Sequence, residues 1–272
     1  MKDLVILVAH ALKRTRTLVV AMGMLLAVFQ VILILSARSI HQSNAFEQMS
    51  ALIPPFVRAL VGPAFNSFLS FGGMVCLGYF HPVVMASLVA LSITLATIPR
   101  SEVETGWMDL ILARPISRHW IITRSIILLI IGTAALLGMM MLGTWAGLSM
   151  LAPKEAPWPK PVLIWSLAIN LGLLMLGWGG IALAIGAASR RRSAAGALAG
   201  LLALAMFLLD YVARAWRPAE SVAWLSPFRY YNPFELLIGR GLPASHLLVL
   251  GAIAVAGFAL AYIFFSRRDI SR

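Results

Sequence analysis

Residues 17 to 37, TLVVAMGMLLAVFQVILILSA, run for 21 residues without a charged side chain. A helix needs about 20 apolar residues to cross the ~30 Å hydrocarbon core of a bilayer. Inside lipid the backbone must satisfy its own hydrogen bonds, and a single run of this kind does so as a helix. Comparable runs recur along the chain, giving six expected spans at about 17–37, 82–98, 121–147, 162–187, 194–213 and 245–265. Composition agrees: 12% of residues are charged, against about a quarter in soluble domains. The expected fold class is all-α, a polytopic membrane protein forming one transmembrane domain over residues 1–272. The first run exceeds the roughly 7–15 residues of a cleavable signal core and reads as a signal anchor that is retained.

The segments between the spans carry their own signals. Residues 3–14, DLVILVAHALKR, are too short to span and end in basic residues, which predicts an N-terminal interfacial helix. Residues 38–79 are mixed. Pro54 and Pro55 suit a helix start and Gly62 a stop, and PAFNSFLSFGG follows the same plan, so two short outer-side helices are expected. The loop APKEAPWPKP (152–161) breaks the chain. SRRRS (189–193) is a tight basic hairpin, and LSPFRYYNPFELL (225–237) carries aromatics suited to the water–lipid boundary.

The formal net charge of +12 would suggest nucleic acid in a soluble protein. Here topology accounts for it. Six spans put both termini on one side. Lys2, Lys13, Arg14 and Arg16, then Arg100, Arg114, Arg118 and Arg124, then Arg190, Arg191 and Arg192, then Arg267, Arg268 and Arg272 all fall on that side. The remaining eight Lys and Arg are spread over three longer loops. The positive-inside rule places the termini and the hairpin in the cytoplasm, and no nucleic-acid partner is needed. The lone Cys76 excludes an intramolecular disulfide framework and reads as a packed core residue.

One stretch concentrates charge: SEVETGWMDLILARPISRHW, residues 101–120. Ser101 followed by Glu104 is a capping-box pattern, and Glu102 and Glu104 suit the first turn of a helix. Val103, Trp107, Leu110 and Ile111 give an apolar face. Pro115 disfavours helix at Arg114, and Ser117 is placed to cap the third span. A short cytoplasmic helix over about 102–113 is expected, either as a solvated loop element or as a docking element for a cytoplasmic partner.

The run EVETGWMDLILARPISR resembles the signature of ABC-2-type transporter permeases, roughly E-x-E-x-G-T-x-x-x-L-L-x-x-P-x-S-R. Glu102, Glu104, Gly106, Leu110, Leu112, Pro115, Ser117 and Arg118 match, and Trp107 stands where the family usually has Thr. His81–Pro82, LSPFRYYNPF before the last span and the terminal RRD (267–269) are further family-like features. The resemblance implies a six-helix half-transporter of the type V exporter fold in a prokaryotic plasma (inner) membrane, a branch of which assists copper-enzyme maturation. It implies pairing with a second permease subunit, most simply as a homodimer, and with a separate ABC ATPase subunit. It also makes 102–113 a coupling helix on that ATPase, with Glu102, Glu104, Gly106, Asp109, Arg114, Pro115 and Arg118 as coupling residues. No G-x-x-x-x-G-K-[ST] occurs in the chain, so ATP and Mg would be held by the partner. The chain then reads as a transport subunit, not an enzyme, with no cofactor or metal of its own.

Other residues admit more than one reading. Gly196 and Gly200, like Gly143 and Gly147, form G-x-x-x-G, which suits close helix packing within one bundle or a dimer seam. Asn170 suits an interhelical hydrogen bond or a substrate path. Asp210 and Arg214 have the spacing of an i,i+4 ion pair. The triple arginine reads as an orientation signal, an anionic-lipid contact or a second ATPase contact. An intramembrane enzyme would need a carboxylate dyad, a metal set or an activated nucleophile, and a secondary transporter of the inverted-repeat kind would show interrupted helices at matching positions in two repeats. The sequence shows neither.

Overall fold

The computed structural model describes residues 2–43, 70–104 and 119–267. Among them every regular element is helical: α1 (Lys2–Gln42), α2 (Phe71–Phe80), α3 (Pro82–Ala96), α4 (Ile98–Glu104), α5 (His119–Leu151), α6 (Pro161–Ala188), α7 (Arg192–Ala213), α8 (Arg217–Glu220), α9 (Pro233–Leu237) and α10 (Ala244–Ser266). Two short 3-10 turns, Ala223–Leu225 and Pro227–Tyr230, lie between α8 and α9. Among the described residues six helical stretches are long and apolar enough to cross a membrane: Leu4–Gln42, Phe71–Ala96, His119–Leu151, Pro161–Ala188, Arg192–Ala213 and Ala244–Ser266. The chain is a multi-pass membrane protein.

Three expectations are corrected. The interfacial helix at 3–14 is not a separate element, because α1 is continuous for 41 residues. Lys2–Gln42 contains no proline and a single glycine, so nothing breaks it. At 1.5 Å per residue α1 is about 60 Å long, twice the bilayer core. The second span begins at Phe71, not at 82. FGGMVCLGYF forms its first half, α2, and the third-last to last residues of PAFNSFLSFGG belong to it. His81 breaks the span at φ −61° and ψ 128°, as expected of a residue before proline, and its Nδ1 accepts from the Val83 N–H at 3.3 Å. Pro54, Pro55 and Gly62 lie outside the described residues.

The third correction concerns the charged stretch at 101–120. Helix begins at Ile98, one residue after a bend at Thr97, and Ser101 sits inside it with its N–H bonded to the Thr97 carbonyl at 3.3 Å. Ser101 is therefore not a helix cap. Residues 105–118, including Ser117, lie outside the described residues. The remaining spans begin and end within four residues of the expected positions.

Register between facing residues sets the topology. Gly143 of α5 meets the Ala27 backbone of α1, and Gly147 meets Ile34, so α1 and α5 run the same way. Gly172 and Gly179 of α6 meet Leu137 and Leu129 of α5, so α6 runs against it. Gly180 faces Gly257, and Gly177 faces Ile253, so α10 runs with α6. The start of α1 and the end of α10 thus lie at one face of the bundle, which also holds α4 and the turn between α6 and α7. We call this the basic face.

Close backbone approach is sequence-encoded. A Cβ on Gly143 would stand 2.6 Å from the Ala27 Cα, and one on Gly257 would stand 2.4 Å from the Gly180 carbonyl carbon. Only glycine permits these contacts, and close packing of this kind drives helix association in lipid, where burial from water contributes little. Gly143 and Gly147 therefore serve packing inside one bundle. α6 is the central helix, with Leu167, Leu171, Leu174 and Trp178 all fully buried.

Candidate functional site

The site lies at the basic face and is built on α4. Thr97 ends α3 with φ −90° and ψ 0°, and the chain turns directly into Ile98–Glu104. This turn brings the two glutamates of E-x-E against three different spans.

Glu102 points inward. Its side chain is 5% exposed, and Oε2 accepts from Arg124 Nη2 of α5 at 2.6 Å, where Arg124 is itself 2% exposed. Arg14 of α1 places Nη1 3.6 Å from Glu102 Oε1 with its own side chain half exposed. Glu102 thus joins α4 to α1 and α5. Arg124 Nε is buried and has no hydrogen-bond partner among the described residues, so the pair carries an uncompensated polar atom. Burying charge is costly unless it is paired, and the pairing locks α4 in one place.

Glu104 is exposed and points the other way. Its Oε1 accepts from the backbone N–H of Arg192, the first residue of α7. A carboxylate on an unbonded amide at a helix start satisfies an orphan donor and complements the helix dipole. Arg192 Nη1 also lies 3.5 Å from Ser101 Oγ. A seven-residue helix is therefore tied to α1, α5 and α7, three of the six spans.

Beside these ties runs a groove between α3 and α7. Its apolar part, about 390 Å³, is lined by Pro82, Met85, Val89, Ala203, Phe207 and Phe228, among others. A second part, about 620 Å³, continues past Ala90, Ile93 and Gly200 to Thr94, Thr97, Ser101, Glu104 and Arg192. Gly196 and Gly200 line it, and a Cβ at either would meet nothing within 4 Å. Among the described residues these two glycines do not pack against another helix, unlike Gly143 and Gly147. The groove ends at the residues that hold α4 to α7.

The other expected positions divide. Gly106, Asp109, Arg114, Pro115 and Arg118 lie outside the described residues, as does Trp107. Asn170, 1% exposed on the central α6, has an Oδ1 without a partner among the described residues and lines neither part of the groove. Asp210 forms the expected pair: its Oδ2 accepts from Arg214 Nη2 at 2.7 Å and Nε at 3.2 Å. Among the described residues no three His, Cys, Asp or Glu side chains gather as a metal site would require.

Sequence reading missed the partners of the two glutamates. Arg14, Arg124 and Arg192 register as topology charges, and their pairings span separations of up to 88 residues. One signal was present. The chain has ten acids against 22 bases, so an acid near the basic face has arginines to meet. Between α7 and α10 the chain closes the opposite face. Tyr231, buried there, donates from its hydroxyl to the Tyr79 carbonyl at 2.8 Å, and burial pushes its phenol well above the usual range.

No family model and no curated protein matches the chain.

Proposed function

We propose that the chain is the permease subunit of an ATP-binding-cassette exporter of the ABC-2 type, paired with a second permease and driven by a separate ATPase. The observation that carries this reading is the attachment of E-x-E to three spans beside an open groove. A helix that receives force from a cytoplasmic partner must pass it on, and Glu102 and Glu104 provide two routes. Movement of α4 is transmitted through Glu102 to α5 and α1, and through Glu104 to the start of α7. Because α7 forms one wall of the groove and α3 the other, displacing α7 relative to α3 changes the width of the path.

In this reading the basic face is cytoplasmic, in a prokaryotic plasma membrane. The ATPase sits on residues 102–113 and their continuation, with Asp109, Arg114 and Arg118 as its contacts. ATP and Mg belong to that subunit. The apolar open face of α7, with Gly196 and Gly200, is the region offered to the second permease, so the groove is completed between two bundles.

The test is a charge reversal at the site. Glu104→Lys removes the acceptor of the Arg192 N–H and sets a cation beside the start of α7. We expect at least a tenfold loss of transport-stimulated ATP hydrolysis in the co-purified complex with its ATPase, with the chain still folded. Unchanged stimulation in that variant would reject the coupling role. Failure of affinity purification to recover any ATPase with the wild-type chain would reject the ABC reading as a whole.

A further inference from the structure

A second groove lies on the other side of α7, between α6, α7 and α10. Its volume is about 660 Å³, and its walls include Ile181, Ile185, Leu198, Leu202, Ile253 and Leu260. It is not a cavity awaiting a neighbouring helix within the described chain. Leu198 is 55% exposed and Leu260 43%, so the groove opens sideways to the bilayer.

Its end at the basic face differs from its length. Ala188, Ser189 and Phe264 close it there. Gly180 faces Gly257, and nine residues further along two parallel helices Ser189 stands level with Ser266. The hairpin arginines follow Ser189 directly, and Arg267 follows Ser266, its N–H bonded to the Ile263 carbonyl at 3.2 Å. Arg191 and Arg267 are exposed and form no ion pair among the described residues. Nothing acidic lies between Glu155 and Asp210 in sequence, and after Arg267 the chain runs Arg268, Asp269, Ile270, Ser271, Arg272, which keeps the balance positive. The α3–α7 groove is different, because Glu104 stands at its charged end.

We infer that this groove holds an anionic phospholipid, with one acyl chain between α7 and α10 and the phosphate at Arg191 and Arg267. The occupant follows from charge and place. A lipid-facing apolar groove is filled by acyl chains, and cations at its interfacial mouth select an anionic headgroup over a zwitterionic one. The lipid fills a wedge on the face of α7 that the bundle leaves open and fixes the hairpin between α6 and α7 at the interface. This holds whether or not an ATPase drives the chain.

The experiment is lipid retention by the purified full chain, read by native mass spectrometry. The probes are phosphatidylglycerol and phosphatidylcholine with identical acyl chains. An arginine near an anionic surface contributes roughly a fivefold preference, so the pair should give about a thirtyfold preference for phosphatidylglycerol. In Arg191→Gln/Arg267→Gln the preference should fall below about threefold, with phosphatidylcholine retention unchanged. Ala256→Trp, which fills the groove, should lose retention of both lipids. Soluble glycerol phosphate at equal concentration should displace neither. Equal retention of the two lipids by the wild-type chain would overturn the inference. So would a preference that survives the double glutamine variant, which changes only exposed residues. Displacement by glycerol phosphate would reduce the site to an anion contact without a tail and would overturn it too.

Discussion

Breaking the Glu102–Arg124 pair should reveal how strongly α4 is held. Both side chains are almost wholly buried, at 5% and 2% exposure, and their polar atoms meet at 2.6 Å. Arg124→Met takes the 2.6 Å partner from the Glu102 carboxylate, while Arg14 stands 3.6 Å away and half exposed. Removing one partner of a buried ion pair costs about 3–5 kcal/mol, and a half-exposed arginine offsets at most about 1 kcal/mol. Arg124→Met should therefore lose about 3 kcal/mol. Glu102→Met strands Arg124, whose Nε lacks a partner among the described residues, and should lose a similar amount. The double variant Glu102→Met/Arg124→Met buries two apolar chains instead, and such replacements are often neutral. It should lie within about 1 kcal/mol of wild type. Independent effects would instead sum to roughly 6 kcal/mol.

The assay is unfolding of the purified chain in mixed micelles by titrated denaturing detergent, followed through its eight tryptophans. A double variant as unstable as the sum of the singles would refute the pairing as the source of the cost. Function then separates from stability. If Glu102 transmits force to α5 and α1, the double variant stays folded but loses stimulated ATP hydrolysis in the complex. Full stimulation would leave Glu102 a structural residue only.

Two further outcomes use the same titration. Gly143→Leu drives a side chain into the Ala27 backbone, where even a Cβ stands at 2.6 Å, and should destabilise by at least the 1–3 kcal/mol typical of overpacking. Gly200→Leu meets open space and should leave single-chain stability within about 0.5 kcal/mol while abolishing crosslinking across the open face of α7. Loss of stability there, or an intact crosslink, would place the seam elsewhere. Gln30 is fully buried, and both of its amide atoms lack a partner among the described residues. Gln30→Met keeps the volume and removes the orphans, so it should stabilise by about 1 kcal/mol or more. A destabilised Gln30→Met would mean that the amide has a partner.

What the sequence could disclose follows the range of each interaction. Spans are set by local hydropathy, so six long apolar helices were legible. Their ends were less so. α2 was missed because Pro82 looked like a start, when it marks a break within a span that begins at Phe71. α1 swallowed the expected interfacial helix because Lys13, Arg14 and Arg16 are good helix formers and no breaker separates them from Thr17. Packing was half legible. The same G-x-x-x-G spacing lies buried at Gly143 and Gly147 but open at Gly196 and Gly200, since spacing defines a face and not what lies against it.

The glutamates were legible as residues of a short charged helix but not as ties. Their geometry depends on Thr97, where α3 ends in a bend and not in a loop. That bend turns α4 so that alternate residues face opposite ways: Glu102 meets α1 and α5, and Glu104 meets α7. On a helix, residues two apart sit about 200° apart around the axis, so E-x-E is the spacing that sends two carboxylates to two different walls. A spacing of three or four would have sent both to one wall and left α7 unattached.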